Sequence, residues 1–230
     1  MSSRVYALDL GAWSVKVAVV TPGLRGATIT QIAELPVVGS GAEAQVAAAG
    51  QLVASLGLGA DTGYVCVNGN GVFTHILDLP ATGLRRAELT RAVGAELEGV
   101  VPIDLEDMVY AFDTLPTPPI AAAGAAPIAG TTPGPNGQRL LTYSMHKDKA
   151  QATLDSLAAV GVNARGLLPP ASAALRLVER VPDLAAVAAA SGVVVIDIGH
   201  ERTDVVMVRA GKALFSRSLA RGGKQVTDAI

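Results

Sequence analysis

Apolar positions along this chain come in short runs with two periods, and the switches between periods mark out its elements. Arg4–Asp9, Ser14–Thr21 and Gly26–Val37 are three strand-like runs with brief turns at Gly11 and Pro22-Gly23, the spacing of an antiparallel meander. Ala42–Leu56 changes to helical spacing, and Gly57 and Gly59 close it as C-capping residues would. Gly63–Asn68 returns as a strand. Val72–Leu79 sets Val72, Thr74, Ile76 and Asp78 against Phe73, His75, Leu77 and Leu79, which predicts a strand with one wet face. Arg85–Val100 reads as a helix with Leu84, Leu89, Val93 and Leu97 on one stripe; an acidic turn, Pro102–Asp107, leads to the strand Met108–Leu115. Strands joined through crossover helices predict a mixed α/β fold.

Thr117–Gln138 holds five prolines, four glycines and no charge in 22 residues, the composition of a surface loop joining two strands. Beyond it the pattern gives a strand Arg139–His146 and a helix Lys147–Val160 with Leu154, Leu157 and Ala158 inward. A strand Val162–Leu168 and a proline-opened helix Pro170–Val181 follow, with Val187–Ala190 as a connector. Three strands close the chain, Gly192–Asp197, Thr203–Arg209 and Ala213–Ser218, before Gly222-Gly223 opens a last helix.

Two of these stretches match. Leu8–Val20 (Leu-Asp-Leu-Gly-Ala-Trp-Ser-Val-Lys-Val-Ala-Val-Val) and Ile196–Val208 (Ile-Asp-Ile-Gly-His-Glu-Arg-Thr-Asp-Val-Val-Met-Val) align at a constant offset of 188, pairing Asp9 with Asp197, Gly11 with Gly199 and Lys16 with Asp204. Repetition at so long a period indicates a duplicated half-domain rather than a solenoid. Asp9 and Asp197 are therefore expected at strand ends in two separate sheets. Only the first unit is followed by a helix and more strands, so the second half is expected to be incomplete at its C-terminal side.

Composition narrows the picture. Half the residues are hydrophobic but 3% are aromatic, so the core must be built from Ala, Val and Leu. A net charge of −2 makes no electrostatic case for nucleic acid. The single cysteine, Cys66, sits in an apolar run and reads as a reduced core residue of a cytosolic protein. No basic-then-apolar leader opens the chain and no apolar tract reaches bilayer length, which predicts a cytoplasmic location.

Catalytic patterns are absent. There is no Gly-x-Ser-x-Gly and no His-Glu-x-x-His, and Gly222-Gly223-Lys224 is no P-loop, because Ser218 stands where the first glycine is needed and Gln225 replaces the Ser/Thr. His75, His146 and His200 are scattered, and Asp104, Glu106 and Asp107 read as solvated turn residues rather than metal ligands.

The paired turns carry a resemblance. Asp9-Leu-Gly-Ala-Trp-Ser-Val-Lys16 and Asp197-Ile-Gly-His-Glu-Arg-Thr-Asp204 resemble the phosphate-1 and phosphate-2 motifs of the actin/Hsp70/sugar-kinase superfamily. Val72–Pro80, the helix around Glu88–Glu98 and Val101-Pro-Ile-Asp104 are similar to the inserted subdomain of its FtsA–PilM branch. Leu10–Val17, Leu24-Arg-Gly26 and Arg221–Val226 look most like the PilM-like cytoplasmic domain of the type II secretion GspL proteins. The resemblance implies an actin-like (ribonuclease H-like) duplicated core. Residues 1–83, with 167–189 returning, would form the first subdomain, 84–166 an inserted α+β subdomain, and 190–230 the start of the second.

It also implies that Asp9, Gly11, Ala12, Ser14, Lys16, Asp197, Gly199, His200 and Thr203 surround the phosphates of ATP, with magnesium. Here this chain departs from the pattern: Trp13 is bulky, and His200, Glu201 and Arg202 stand where nucleotide-binding relatives read Gly-Gly-Thr. A glutamate about 4 Å from a phosphate costs roughly 1–4 kcal/mol. The expectation is a vestigial site with no cofactor in a protein that is not an enzyme; an ATPase or small-molecule kinase is the alternative. The implied partners are the N-terminal domain of the secretion ATPase GspE and other inner-membrane platform components, with a membrane anchor beyond Ile230. If the chain is instead PilM-like, the partner is an N-terminal peptide of PilN. Glu88, Arg91, Glu96, Glu98 and Glu106 form an acidic rim, the candidate partner-binding face. The sequence is also compatible with a homodimer.

Overall fold

The computed structural model describes residues 4–24, 26–67, 71–80, 83–115 and 137–230. In chain order, β1 (Val5–Leu10), β2 (Ser14–Gly23) and β3 (Gly26–Pro36) are followed by α1 (Gly41–Ser55), β4 (Thr62–Cys66), β5 (Phe73–Leu79) and α2 (Arg86–Glu98). A 3-10 turn at Leu105–Asp107 leads to β6 (Met108–Thr114); then come β7 (Gln138–His146), α3 (Lys147–Ala159), β8 (Ala164–Leu168), α4 (Pro170–Arg180) and α5 (Pro182–Ala190). The chain closes with β9 (Val193–Ile198), β10 (Thr203–Arg209), β11 (Lys212–Leu219) and α6 (Gly223–Thr227). The expected loop, Thr117–Gln138, lies outside the described residues but for its last two.

Local chemistry accounts for most element ends. Gly57, at φ +62°, ends α1 in the left-handed region that an L side chain resists; Gly59 plays no such part. Strand pairing carries on to Gly23↔Gly26, past the turn expected at Pro22-Gly23. Pro170 and Pro182 each open a helix, where a missing N–H costs nothing. The second of these corrects the expected connector at Val187–Ala190. Those residues are the last turn of α5, held because Leu184 and Ala188 pack into the core.

Three sheets result. The first has the order β3-β2-β1-β4-β8, with β1–β3 an antiparallel meander and β4 and β8 parallel additions. The second, β5-β7-β6, is antiparallel and pinned by Arg139, which donates to both carboxylate oxygens of Asp78 at 2.7 and 2.9 Å. The third, β11-β10-β9, repeats the meander. Strand grouping departs from the expected 84–166 insertion. β5 enters the second sheet at Phe73, where Leu77 and Leu79 pack with Leu140 of β7, while Leu157 of α3 lies in the core of the first sheet and β8 pairs with β4. Residues of α4 and α5, expected with the first subdomain, instead pack with Val206, Val208 and Ala213 of the third sheet.

The duplication is visible in the structure. Asp9 and Asp197 are each the next-to-last residue of a strand, in separate sheets. Packing differs between the copies. Tyr6, Leu8 and Leu10 are 0%, 1% and 8% exposed beneath α1, whereas their counterparts Val194, Ile196 and Ile198 are 51%, 58% and 69% exposed. Among the described residues no helix is long and apolar enough to cross a membrane.

Candidate functional site

The first turn is built by the β1–β2 hairpin. Asp9 faces Lys16 across the strands, with the ammonium 3.8 Å from its carboxylate. Gly11 must be small, since a Cβ there would sit 2.5 Å from the Ser14 carbonyl oxygen. Ala12 is half-buried and Ser14 buried at the start of β2. The amide of Val37 donates to the Trp13 carbonyl at 2.9 Å, tying the turn to the end of the meander.

The second turn repeats this scaffold with different charge. Asp197 faces Asp204 where Asp9 faces Lys16. Like charges directly opposite on antiparallel strands are destabilising; here the Ser218 hydroxyl donates to Asp204 and softens the pair. The Gly199 amide is used by the Arg202 carbonyl at 2.8 Å, and the Thr203 hydroxyl donates to the Arg221 carbonyl at 2.8 Å. Gly223 and Lys224 donate their amides to the carbonyls of Gly199 and His200, both at 2.8 Å, fastening α6 to the turn.

The two turns converge on a cleft dominated by carboxylates. Asp9 is held above the usual carboxylate range, chiefly by burial; Lys16 opposes this, and Asp197 and Asp204 add to it. Asp204 is also raised, by burial first, against the Ser218 hydrogen bond and with Asp197 as a like charge. Cys66 lies beside Asp9 on β4, and burial, followed by Asp9, Asp204 and Asp197, pushes its thiol up to about 12. It is a protonated, unreactive thiol at neutral pH. Across the cleft the ring of Trp13 meets that of His200, with centroids 5.1 Å apart and planes at 50°. A cavity of about 420 Å³ beside them is lined by Trp13, His200, Lys224, Thr227 and Asp228.

The raised carboxylates set a pH dependence. A carboxyl whose folded pKa lies above its unfolded one is destabilising when ionised, so its cost is removed as pH falls through the folded value. Lowering the pH from neutral into the range just above the usual carboxylate values is expected to stabilise the cleft. Asp9→Asn should flatten that part of the melting-temperature profile; an unchanged profile in the variant would dissociate Asp9 from it.

All nine residues expected around a ligand lie on these two turns or the strands flanking them. Periodicity did not reveal the Asp197–Asp204 opposition, although the offset that aligns Lys16 with Asp204 carried the signal. The contact of Trp13 with His200 had only one trace in the sequence, a large aromatic among small turn residues. Of the acidic rim, Arg91, Glu96, Glu98 and Glu106 are exposed on or beside α2, but Glu88 is committed: its carboxylate accepts the Arg85 amide at 2.9 Å and caps the helix.

Comparison with known proteins bears on the fold and the family. Among solved structures, the chain is similar to the protein in a "PilM-PilN type IV pilus biogenesis complex", at 23% identity and a TM-score of 0.74 over 98% of this chain and 64% of that one. It is also similar to the cytoplasmic domain of EpsL, an inner-membrane component of the type II secretion system of Vibrio cholerae. There the identity is 10% and the TM-score 0.53, over 95% of this chain and 71% of that one. No curated protein matches. The chain thus spans about two thirds of the length of these proteins and shares their actin-like fold. The family model for type IV pilus assembly protein PilM matches residues 8–230, and the chain belongs to that family.

Proposed function

We propose that this chain is a non-catalytic, actin-like scaffold at the inner membrane that captures an N-terminal peptide of a PilN-like partner. The observation that carries the non-catalytic part is the charge of the cleft. Asp9, Asp197 and Asp204 are set against Lys16 and Arg202, and Asp9 and Asp204 are raised first by burial and then by like charge. A polyphosphate would add further negative charge to that cluster. The PilN-like partner is favoured over the secretion ATPase by the extent of the PilM family match and by the higher TM-score to the PilM–PilN complex.

Two measurements test the reading. Calorimetric titration with a synthetic peptide of the PilN-like partner's N-terminus should give a saturable complex; no heat at about 1 mM peptide, the weak limit of specific binding, would remove this partner. Mg-ATP at about 1 mM should leave the melting temperature nearly unchanged, whereas a site with a Kd near 10 µM would add roughly 2.7 kcal/mol. A clear rise would restore the nucleotide-enzyme alternative.

The likeness to the EpsL domain supports a second reading, recruitment of the ATPase GspE. A docking face for it would be the exposed carboxylates Glu96, Glu98 and Glu106, which can steer a basic partner. Reversing these three to lysine should leave folding intact and slow association with the GspE N-terminal domain, most clearly at low salt. Equal rates for both proteins would exclude this face.

A further inference from the structure

The two turns belong to sheets whose apolar cores are separate. Tyr6, Leu8, Val15 and Val17 lie in one cluster with α1, and Val206, Val208 and Ala213 lie in another with α4, α5 and Leu141 and Tyr143 of β7, which joins the third sheet to the second. Between the turns, Asp9 meets Asp197 and Asp204 as like charges, with the Lys16 ammonium no nearer to Asp9 than 3.8 Å. These like charges oppose the approach of the turns, and Lys16 and Arg202 offset them in part. The ring contact works against the repulsion as well. Trp13 is 66% exposed, so its ring is not seated in the core of its own sheet. It lies against His200 at 5.1 Å and 50°, within the range of favourable tilted aromatic pairs. Both residues are anchored behind the ring, through the Val37 amide at the Trp13 carbonyl and the Lys224 amide at the His200 carbonyl.

We infer that Trp13 and His200 form a clasp that holds the two turns together across the mouth of the cleft without any ligand. The clasp bridges the turns, offsets the repulsion of the carboxylates, and must be parted by anything that enters between them. This goes beyond the scaffold reading and is independent of which partner binds.

Nuclear magnetic resonance on the full chain tests it. Trp13 is the sole tryptophan and there are three histidines, so His200→Gln assigns the imidazole signal by its loss. In the wild type the His200 ring protons should be displaced by the Trp13 ring current, and in Trp13→Leu they should return to free-histidine positions while His75 and His146 stay in place. Hydrogen exchange at the Val37 and Lys224 amides, which anchor the two turns, should be several-fold faster in Trp13→Leu than in the wild type. If Trp13→Leu unfolds, His200→Gln serves for the exchange measurement. Unmoved His200 signals in Trp13→Leu would overturn the contact, and unchanged exchange at both amides in the variants would overturn its holding role.

Discussion

Replacing Leu8 by alanine is expected to lower the unfolding free energy by about 2–5 kcal/mol, the range for truncating a well-packed leucine. Leu8 is 1% exposed and lies in one cluster with Val17, Leu52, Val53 and Val65, so little space is free for collapse around the cavity. The repeat supplies an internal control. Ile196 occupies the same place in the second unit but is 58% exposed, and Ile196→Ala should stay within about 0.5 kcal/mol of the wild type. Urea unfolding of both variants measures the difference. Equal losses would mean that the exposed face of β9 is covered in solution, which the packing of these residues does not provide.

Gly222→Ala should have the second-largest effect, at the upper end of the roughly 1–3 kcal/mol typical of overpacking. A Cβ at this position would lie 2.5 Å from the carbonyl oxygens of both Gly199 and His200 and 2.6 Å from the Arg202 amide nitrogen. All three are backbone atoms, so no side-chain rotation relieves the clash; the turn or the start of α6 must move. The amide bonds of Gly223 and Lys224 to Gly199 and His200 are then lost or lengthened. Hydrogen exchange at those two amides, together with the melting temperature, reports the outcome. Unaltered protection in the alanine variant would show that the turn yields more easily than its backbone contacts imply.

Both effects concern the same repeated unit, and they show how one motif is put to two uses. In the first copy, Asp9 opposite Lys16 makes a charge-balanced hairpin over a covered core. In the second, Asp197 opposite Asp204 is unbalanced, and the local hydrogen bonds of Ser218, Thr203, Gly223 and Lys224 hold the turn in shape. Substitutions in the first copy therefore act on global stability, whereas those in the second act on the geometry of the cleft.

The sequence by itself determined element types and the duplication, because both are written in local periods. Val15, Val17 and Val19 alternate inward along β2, Leu89, Val93 and Leu97 line one side of α2, and the offset of 188 aligns the two turns residue by residue. The actin-like fold was implied by the resemblance those turns carry. What the tertiary structure decided are relations between residues far apart in the chain. Nothing within a few residues of β5 states that it joins β7 rather than β4, since its alternation is compatible with either and the choice rests on which face finds apolar partners. Glu88 reads as part of an acidic face until the Arg85 amide claims it, because a cap and a solvated glutamate have the same local pattern. Residues 187–190 looked like a connector because an alanine-rich stretch has little amphipathic contrast, and burial of Leu184 and Ala188 was needed to make them helical. Trp13 and His200 stand 187 residues apart and face each other only because two sheets with separate cores bring their turns to one cleft, a juxtaposition that no local rule of spacing encodes.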